Sequence, residues 1–580
     1  MSDKPHVVVL GTGGAGLTAA IAAHEAGARV SLFEKGDEIG GTTAWSGGMI
    51  WVPNNHHEAT LGVEDSRDKA LTYLMSMSHG LMQRHLVEAF LDHGPEMVAF
   101  LEERTPVQFR PIPDFPDYHA EFPGGMPGGG RSLDCPLFSF HELGEWAEKV
   151  TLSPYYPSPH YSIYDTPLGQ AAPKPLSEAE LQRRIDADLR GSGQALVGRL
   201  LRACLDRGIE PKTGHRAVRL MMDEDRVAGV AFETAGEPVA VAADAVILAT
   251  GGFEWDAELL RAFIRGPLTH PLSPKTNTGD GLRRAMRVGA MLGNMREAWW
   301  MPVAEVPTSD CSTGRTLVAG QRSLPHSLMV NRAGRRFTNE AANYNAIGAA
   351  FHDQDVSAFD YANLPCWLVF DQRYIDRFGF GMIAGAPGVA PPQWVMRADS
   401  LAELATRLGI DGEALAATIE RFNANCARGR DPDFGRGEAA HDRWWGDPAA
   451  RESAAATLGP VGAPPFFAVE IKSGALGTKG GPQTDADAQV LDIDGRPIPG
   501  LYAAGNVMAS AMGMTYGGPG GTIAPGMVFG SLAGRHAAGA TERRIEIRVA
   551  LSQPRAAGIA NGPEGSSCIS STRLPSGSRP

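Results

Sequence analysis

The run His6-Val7-Val8-Val9-Leu10 passes straight into Gly11-Thr12-Gly13-Gly14-Ala15-Gly16 and then into an amphipathic stretch from Leu17 to Ala26. Strand, glycine turn and helix in that order admit few folds. Gly11 permits the tight turn, Gly13 lets backbone approach a pyrophosphate, and Gly16 lets the helix pack on the strand. A second strand, Ala28 to Phe33, ends at Glu34. Its carboxylate arrives about 18 residues after Gly16, near the roughly 20 expected of an acid that accepts hydrogen bonds from an adenosine ribose. The pattern predicts an α/β, Rossmann-like unit that binds a dinucleotide.

The following segment, Gly40-Gly41-Thr42-Thr43-Ala44-Trp45-Ser46-Gly47-Gly48-Met49-Ile50-Trp51, favours FAD over NAD. Its small side chains suit a loop threading past a flat ring system, which an NAD site does not need. Further on, His215 to Leu220, Arg226 to Val230 and Asp244 to Gly252 read as an antiparallel excursion that returns to a buried parallel strand. An Asp494-Gly495 turn then leads into Gly500-Leu501-Tyr502-Ala503-Ala504-Gly505-Asn506, a last strand and glycine turn. These pieces predict one FAD-binding domain, residues 1–280 with an insertion at about 60–190, resumed at 466–540. Residues 281–465 change in pattern. Leu328 to Phe337 reads as a hairpin, Cys366 to Phe370 as a buried strand, and Leu401 to Leu408 and Asp411 to Phe422 as helices. This is the expected α+β substrate domain that caps the flavin.

With 580 residues, two packed domains are the default. A formal charge of -13 and the lack of a basic stripe argue against nucleic acid. The six cysteines, Cys135, Cys204, Cys311, Cys366, Cys426 and Cys568, show no CxxC spacing, which suits reduced thiols in the cytoplasm. No signal peptide and no apolar run of bilayer length is evident, which leaves peripheral membrane contact open. His56-His57 is the conspicuous histidine pair. Read as strand residues they point to opposite faces, so no metal site is expected. Residues 541–580, rich in Ser, Gly, Pro and Arg, read as a disordered tail.

Near the end of the FAD-binding domain, Met514-Thr515-Tyr516-Gly517-Gly518-Pro519-Gly520-Gly521-Thr522-Ile523 sets a tyrosine among glycines before a helix start. The free N–H groups there can face a carbonyl or anionic oxygen, and the tyrosine hydroxyl can polarise the same oxygen. A plain glycine turn between core elements is the alternative. Tyr118, in a loop of aromatics and prolines, and Tyr344, after Phe337-Thr338-Asn339-Glu340, invite the same two readings. Asn339 and Glu340 are as suited to fixing the loop as to chemistry.

Taken together, the segments resemble the flavoproteins of the fumarate reductase and succinate dehydrogenase superfamily, and most closely the 3-ketosteroid Δ1-dehydrogenases, over about residues 5–538. The superfamily likeness rests on the fingerprint with Glu34, on Thr278-Gly279-Asp280-Gly281 and on Leu501 to Gly505. The steroid likeness rests on Ser46 to Asn55, Pro116-Asp117-Tyr118, Phe337 to Glu340 with Tyr344, and Tyr516 through Pro525. Fumarate and succinate enzymes clamp a dicarboxylate with cations, whereas Met508 to Gly521 holds no Arg, Lys or His, which suits an uncharged ketone. The glycine turn departs from the family pattern, reading Tyr-Gly-Gly-Pro-Gly-Gly in place of Tyr-Pro-Gly-Xaa-Gly.

The resemblance implies FAD-dependent 1,2-dehydrogenation of an apolar 3-ketosteroid. Tyr516 and the Gly520 N–H would hold the C3 carbonyl, Tyr344 assisted by Tyr118 would take the C2 proton, and the C1 hydride would pass to flavin N5. A free tyrosine, with a pKa of about 10, needs a lowered pKa or a relay for that task. Noncovalent FAD and an external electron acceptor, quinone or other, are expected. Around the cofactor the expected residues are Gly11, Gly13, Gly14, Ala15, Gly16, Glu34, Lys35, Gly41, Thr42, Thr43, Ser46, Gly47, Gly48, Ala217, Val218, Ala249, Thr250, Gly251, Asp280, Gly505, Asn506, Gly521, Thr522 and Ile523. The competing readings are a Δ4-dehydrogenase, an enone reductase, or a flavin-binding protein without turnover.

Overall fold

Strands His6–Leu10 and Ala245–Leu248 are buried along their whole length, as central parallel strands covered on both faces must be. In the computed structural model, which describes residues 4–539 apart from 157, 171, 310–311 and 381–385, they form the middle of a five-stranded sheet. Its order is Arg29–Phe33, His6–Leu10, Ala245–Leu248, Pro497–Ala503 and Gln489–Leu491. The first four run parallel and the last antiparallel. Helix Gly14–Glu25, following the glycine turn, packs against the C-terminal helix Ile523–Gly539. Sheet and helices thus draw the two ends of the FAD-binding sequence together. The antiparallel excursion forms as a three-stranded sheet of Arg216–Asp223, Arg226–Glu233 and Val239–Ala242.

A second sheet is built on the long strand Phe466–Thr478. Ala298–Glu305 and Cys366–Asp371 flank it, with Arg315–Leu317 and Ser327–Asn331 outside them. Alternation places Met329, Leu368, Phe370 and Phe467 in one buried cluster and Leu328, Val369, Ala468 and Phe466 in another. Helices Leu401–Leu408 and Gly412–Ala427 cover the second cluster, with Asp411 capping the latter helix. The predicted hairpin from Leu328 to Phe337 does not form. Ser327–Asn331 pairs instead with Cys366–Asp371, because its alternating apolar residues are satisfied between two layers and not by a local return strand.

The loop after Ser327–Asn331 is held by charge. Glu340, fully buried, meets Arg336 at 2.8 Å and Arg436 at 3.2 Å and accepts the Met329 N–H at 3.1 Å. Arg336 also bridges to Asp431 at 2.8 Å. Burial by itself would raise the Glu340 carboxyl, but the two guanidinium groups outweigh it and hold the pKa at about 2. Glu340 and Asn339, which donates to Asp442 at 2.9 Å, therefore fix the loop. Glu340→Gln leaves buried guanidinium charge uncompensated and is expected to destabilise by about 3–5 kcal/mol in denaturant melts. A carboxyl with a depressed folded pKa stabilises above its unfolded value of 4.5, and that contribution is lost as pH falls toward 2. The difference between wild type and variant should accordingly shrink below pH 4.5.

Cys135, Cys204, Cys366 and Cys426 are free thiols, the first three buried. Cys311, Cys568 and the tail expected over 541–580 lie outside the described residues. No helix among the described residues is long and apolar enough to cross a membrane.

Candidate active site

Three tyrosines from three distant segments share one buried cluster. The Tyr118 and Tyr344 hydroxyls lie 2.8 Å apart, and the Tyr516 ring stands edge-on to both, at centroid distances of 4.9 and 5.5 Å. Their exposures are 3, 7 and 4 %, so they meet in a water-poor space. Trp299 closes another side, 4.8 Å from Tyr516.

Each tyrosine is positioned by a buried polar anchor. Beside Tyr118, Asp117 accepts from the Trp51 indole at 2.8 Å and from Arg131 at 2.7 Å, while Arg131 is also clasped by Asp65 at 2.7 Å. The Gly517 carbonyl joins two segments, accepting the Tyr118 N–H at 3.0 Å and the Tyr73 hydroxyl at 2.7 Å. Tyr344 opens helix Tyr344–Phe351, capped by Asn343, and the next residue, Asn345, donates to the Met514 carbonyl at 2.9 Å. Gly520 adopts φ +102°, and a Cβ there would come 2.5 Å from the Ile50 carbonyl carbon and 2.6 Å from the Trp51 nitrogen, so only glycine fits. Its carbonyl accepts from Ile523 and Ala524, whereas its N–H makes no hydrogen bond among the described residues.

The electrostatics do not lower any of the three tyrosine pKa values. Burial raises the Tyr344 pKa well above 10, and Tyr118 and Tyr516 beside it push the same way. Burial raises Tyr118 and Tyr516 too. The Arg322 guanidinium, whose charge interacts with Tyr344, does not reverse the shift, so of the two devices expected for this base only the hydrogen bond to Tyr118 is in place. His441, its ring 5.0 Å from Tyr118, is held well below 6.5 by burial, then by Arg322 and His119, and stays neutral.

The expectation that no cation stands beside the Tyr516 turn needs correction. Met508 to Gly521 contains none, but the fully buried Lys479 reaches in from the end of strand Phe466–Thr478 and donates to the Thr515 carbonyl at 2.8 Å. Sequence reading missed it because the residue lies 36 positions away. The flanking Thr478 and Gly480-Gly481 were the only local sign. Trp299, Arg131 and His441 were missed for the same reason.

The expected cofactor residues converge in large part. Gly11, at φ +109°, lies so close to Ala249 that a Cβ would meet its carbonyl oxygen at 2.2 Å, which stacks the first glycine turn on Ala249-Thr250-Gly251. The Gly14 N–H donates to the Thr43 hydroxyl at 3.0 Å, and Ala15 packs beside Gly505. Glu34 accepts from the Thr12 N–H at 3.1 Å and hydroxyl at 2.7 Å and from the Gly36 N–H at 2.9 Å. Gly41 opens the short helix Gly41–Trp45, Thr42 accepts from Asn277, and Ser46 bridges the Thr43 carbonyl to the Gly48 N–H. Gly505 and Asn506 form a turn in which Asn506 accepts from the Trp299 indole at 3.1 Å. Gly521, Thr522 and Ile523 lead into the C-terminal helix. Lys35 and Asp280 bind each other at 2.9 Å, with Arg216 also on Asp280, and the Val218 carbonyl beside Ala217 takes the Arg284 guanidinium. Lys35, Asp280 and the Val218 carbonyl thus have partners within the chain. A cavity lined by Trp299, Lys479, Asn506, Thr522 and Pro525 lies at the start of the C-terminal helix, and its mixed polar and apolar walls suit the edge of a ring system.

His56 and His57 lie on a 3-10 helix, not a strand, so both rings turn to Glu102, at 2.9 and 3.0 Å. The expectation that the two rings point apart is corrected: His56, His57 and Glu102 bring ligand-type atoms within 4.8 Å of one another.

Residues 6–523 match the family described as FAD binding domain. The chain belongs to this family. Among its relatives, the FAD-binding protein is 41% identical to 4-oxocyclohexanecarboxylate 2-dehydrogenase of Sinomonas cyclohexanicum, over 92% of both chains. It is 37% identical to 3-oxosteroid 1-dehydrogenase of Mycobacterium tuberculosis strain H37Rv, over 93% of this chain and 99% of the other. Its fold matches the crystal structure of 3-ketosteroid Δ1-dehydrogenase from Sterolibacterium denitrificans, in complex with 1,4-androstadiene-3,17-dione. The TM-score is 0.83 and the identity 32%, over 92% of this chain and 99% of that one. This FAD-binding protein is an FAD-dependent oxidoreductase acting on CH–CH donors, with the flavoprotein fold of the 3-ketosteroid dehydrogenases and fumarate reductases.

Proposed function

We propose that the protein dehydrogenates 3-ketosteroids between C1 and C2. The observation that carries this reading is the meeting of three buried tyrosines, with the Gly520 N–H of the Tyr516 turn left without a hydrogen bond among the described residues. The Tyr516 hydroxyl and the Gly520 N–H hold the C3 carbonyl oxygen and stabilise the negative charge it gains as C2 loses a proton. Tyr344 accepts that proton as its own hydroxyl proton moves to Tyr118, hydrogen-bonded to it at 2.8 Å, which in turn releases its proton to solvent. Bound FAD would supply the acceptor for the C1 hydride, whose departure leaves the C1=C2 double bond. Burial of the tyrosines excludes water that would compete for the carbonyl and the base. An external acceptor such as a quinone reoxidises the protein, and the scattered free cysteines support a cytoplasmic setting.

A second reading, favoured by the 41% identity to 4-oxocyclohexanecarboxylate 2-dehydrogenase, keeps the same roles for the tyrosines on a smaller cyclic ketone bearing a carboxylate. Against it, the Arg322 guanidinium, whose charge reaches Tyr344, is engaged by the Val318, Glu340 and Ala342 carbonyls, and Lys479 lines a cavity whose walls do not include the tyrosines. Anaerobic titration of the FAD-loaded protein with androst-4-ene-3,17-dione and with 4-oxocyclohexanecarboxylate separates the two. Bleaching of the flavin by the steroid, with a 1,4-diene product, is expected. Bleaching by the carboxylate alone would overturn the steroid reading, a new double bond at C4 would move the regiochemistry, and no bleaching by either would leave a flavin-binding protein.

A further inference from the structure

Lys479 takes no part in the tyrosine chemistry, yet its amine is withdrawn from solvent as completely as any group in the protein. Its Nζ donates one hydrogen bond, to the Thr515 carbonyl at 2.8 Å, and rests 4.1 Å from the centre of the Trp299 ring. No carboxylate lies within ion-pair distance of it among the described residues. An ammonium carries three N–H donors, so two are left to a further acceptor. Burying such a group without a partner is costly, and a fold that keeps one there has an acceptor to offer it. Burial presses the Lys479 pKa down to about 7, against the weaker opposing pull of Glu297.

The acceptor's place is defined by the neighbours. Lys479 lines the same cavity as Gly505, Asn506, Thr522 and Pro525, which surround the first turn of the C-terminal helix, and the three tyrosines are not among the lining residues. The cavity therefore faces the cofactor side of Trp299's surroundings and not the carbonyl-binding cluster. We propose that Lys479 donates a hydrogen bond to the isoalloxazine ring of bound FAD and, in its protonated form, is the positive charge that favours the reduced state of the ring. A hydride brings two electrons and one proton, so the ring gains negative charge, and a cation in a dry site stabilises that charge far more than one in water.

The test needs no substrate, so it stands apart from the steroid reading. Spectroelectrochemical titration of the FAD-loaded protein should show that Lys479→Met disfavours reduction at least tenfold, a fall in midpoint potential of about 30 mV for a two-electron couple. Lys479→Gln, which keeps a donor but not the charge, should fall similarly, and Lys479→Arg should stay near wild type. An unchanged potential in Lys479→Met with flavin still bound would overturn the proposal. If both neutral variants lose FAD while Lys479→Arg retains it and all three apo-proteins melt like wild type, the contact is supported through affinity. Loss of FAD in all three with a lowered apo melting temperature would make the lysine a packing element and overturn it.

Discussion

Tyr344→Phe should reduce turnover by ~10²–10⁴-fold, the range found when a general base is removed, while flavin content and melting temperature stay near wild type. The ring remains to fill its place against Tyr118 and Tyr516, so packing is preserved and only the hydroxyl that meets Tyr118 at 2.8 Å is lost. Tyr118→Phe should cost less, because the primary acceptor remains and only the onward path is cut. The double variant should be little worse than Tyr344→Phe, since two groups in one relay do not add. The pH profile supplies an independent check. Burial and the neighbouring tyrosines hold the Tyr344 pKa well above 10, so its deprotonated form is scarce at neutrality. kcat/KM should therefore climb with pH between about 7 and 10, where an unshifted tyrosine would begin to level off. A plateau beginning near pH 7 would show that another group is the base.

Tyr516→Phe should lower kcat by ~10²–10³-fold, the effect of removing one donor from an oxyanion-binding pair. The reason is differential: the hydroxyl bond to the carbonyl oxygen strengthens only as that oxygen becomes charged, so the loss falls on turnover more than on substrate affinity. Gly520 keeps its N–H in the variant, which sets the residual rate. Flavin binding should be unaffected, since the phenyl ring still packs against Trp299, which lines the cavity at the start of the C-terminal helix. Equal turnover by Tyr516→Phe and wild type would remove Tyr516 from the carbonyl and return its turn to a packing role.

Local features of the chain were readable because they are enforced locally. His6–Leu10, the glycine turn, the helix after it and the acid at Glu34 follow from short-range sterics and apolar spacing, and the four-stranded parallel arrangement follows from strands too apolar to face water. Where a segment's partner is remote, local reading failed. Leu328 to Phe337 looked like a hairpin because an Ala-Gly turn follows an alternating run, but the better partner for that run was Cys366–Asp371. His56 and His57 looked divergent on an assumed strand and converge on a 3-10 helix.

By itself the sequence determined the FAD-binding unit, since its contiguous motif limits what the backbone can do, whereas it assigned chemistry to the three tyrosines and the Gly520 turn only through the family resemblance. Only the tertiary structure decided that Tyr118 and Tyr344, 226 positions apart, share a hydrogen bond, that burial raises rather than lowers their pKa values, and that Lys479 stands beside a turn that has no cation of its own. Motifs record short-range geometry, whereas desolvation and charge proximity depend on which distant segments pack together.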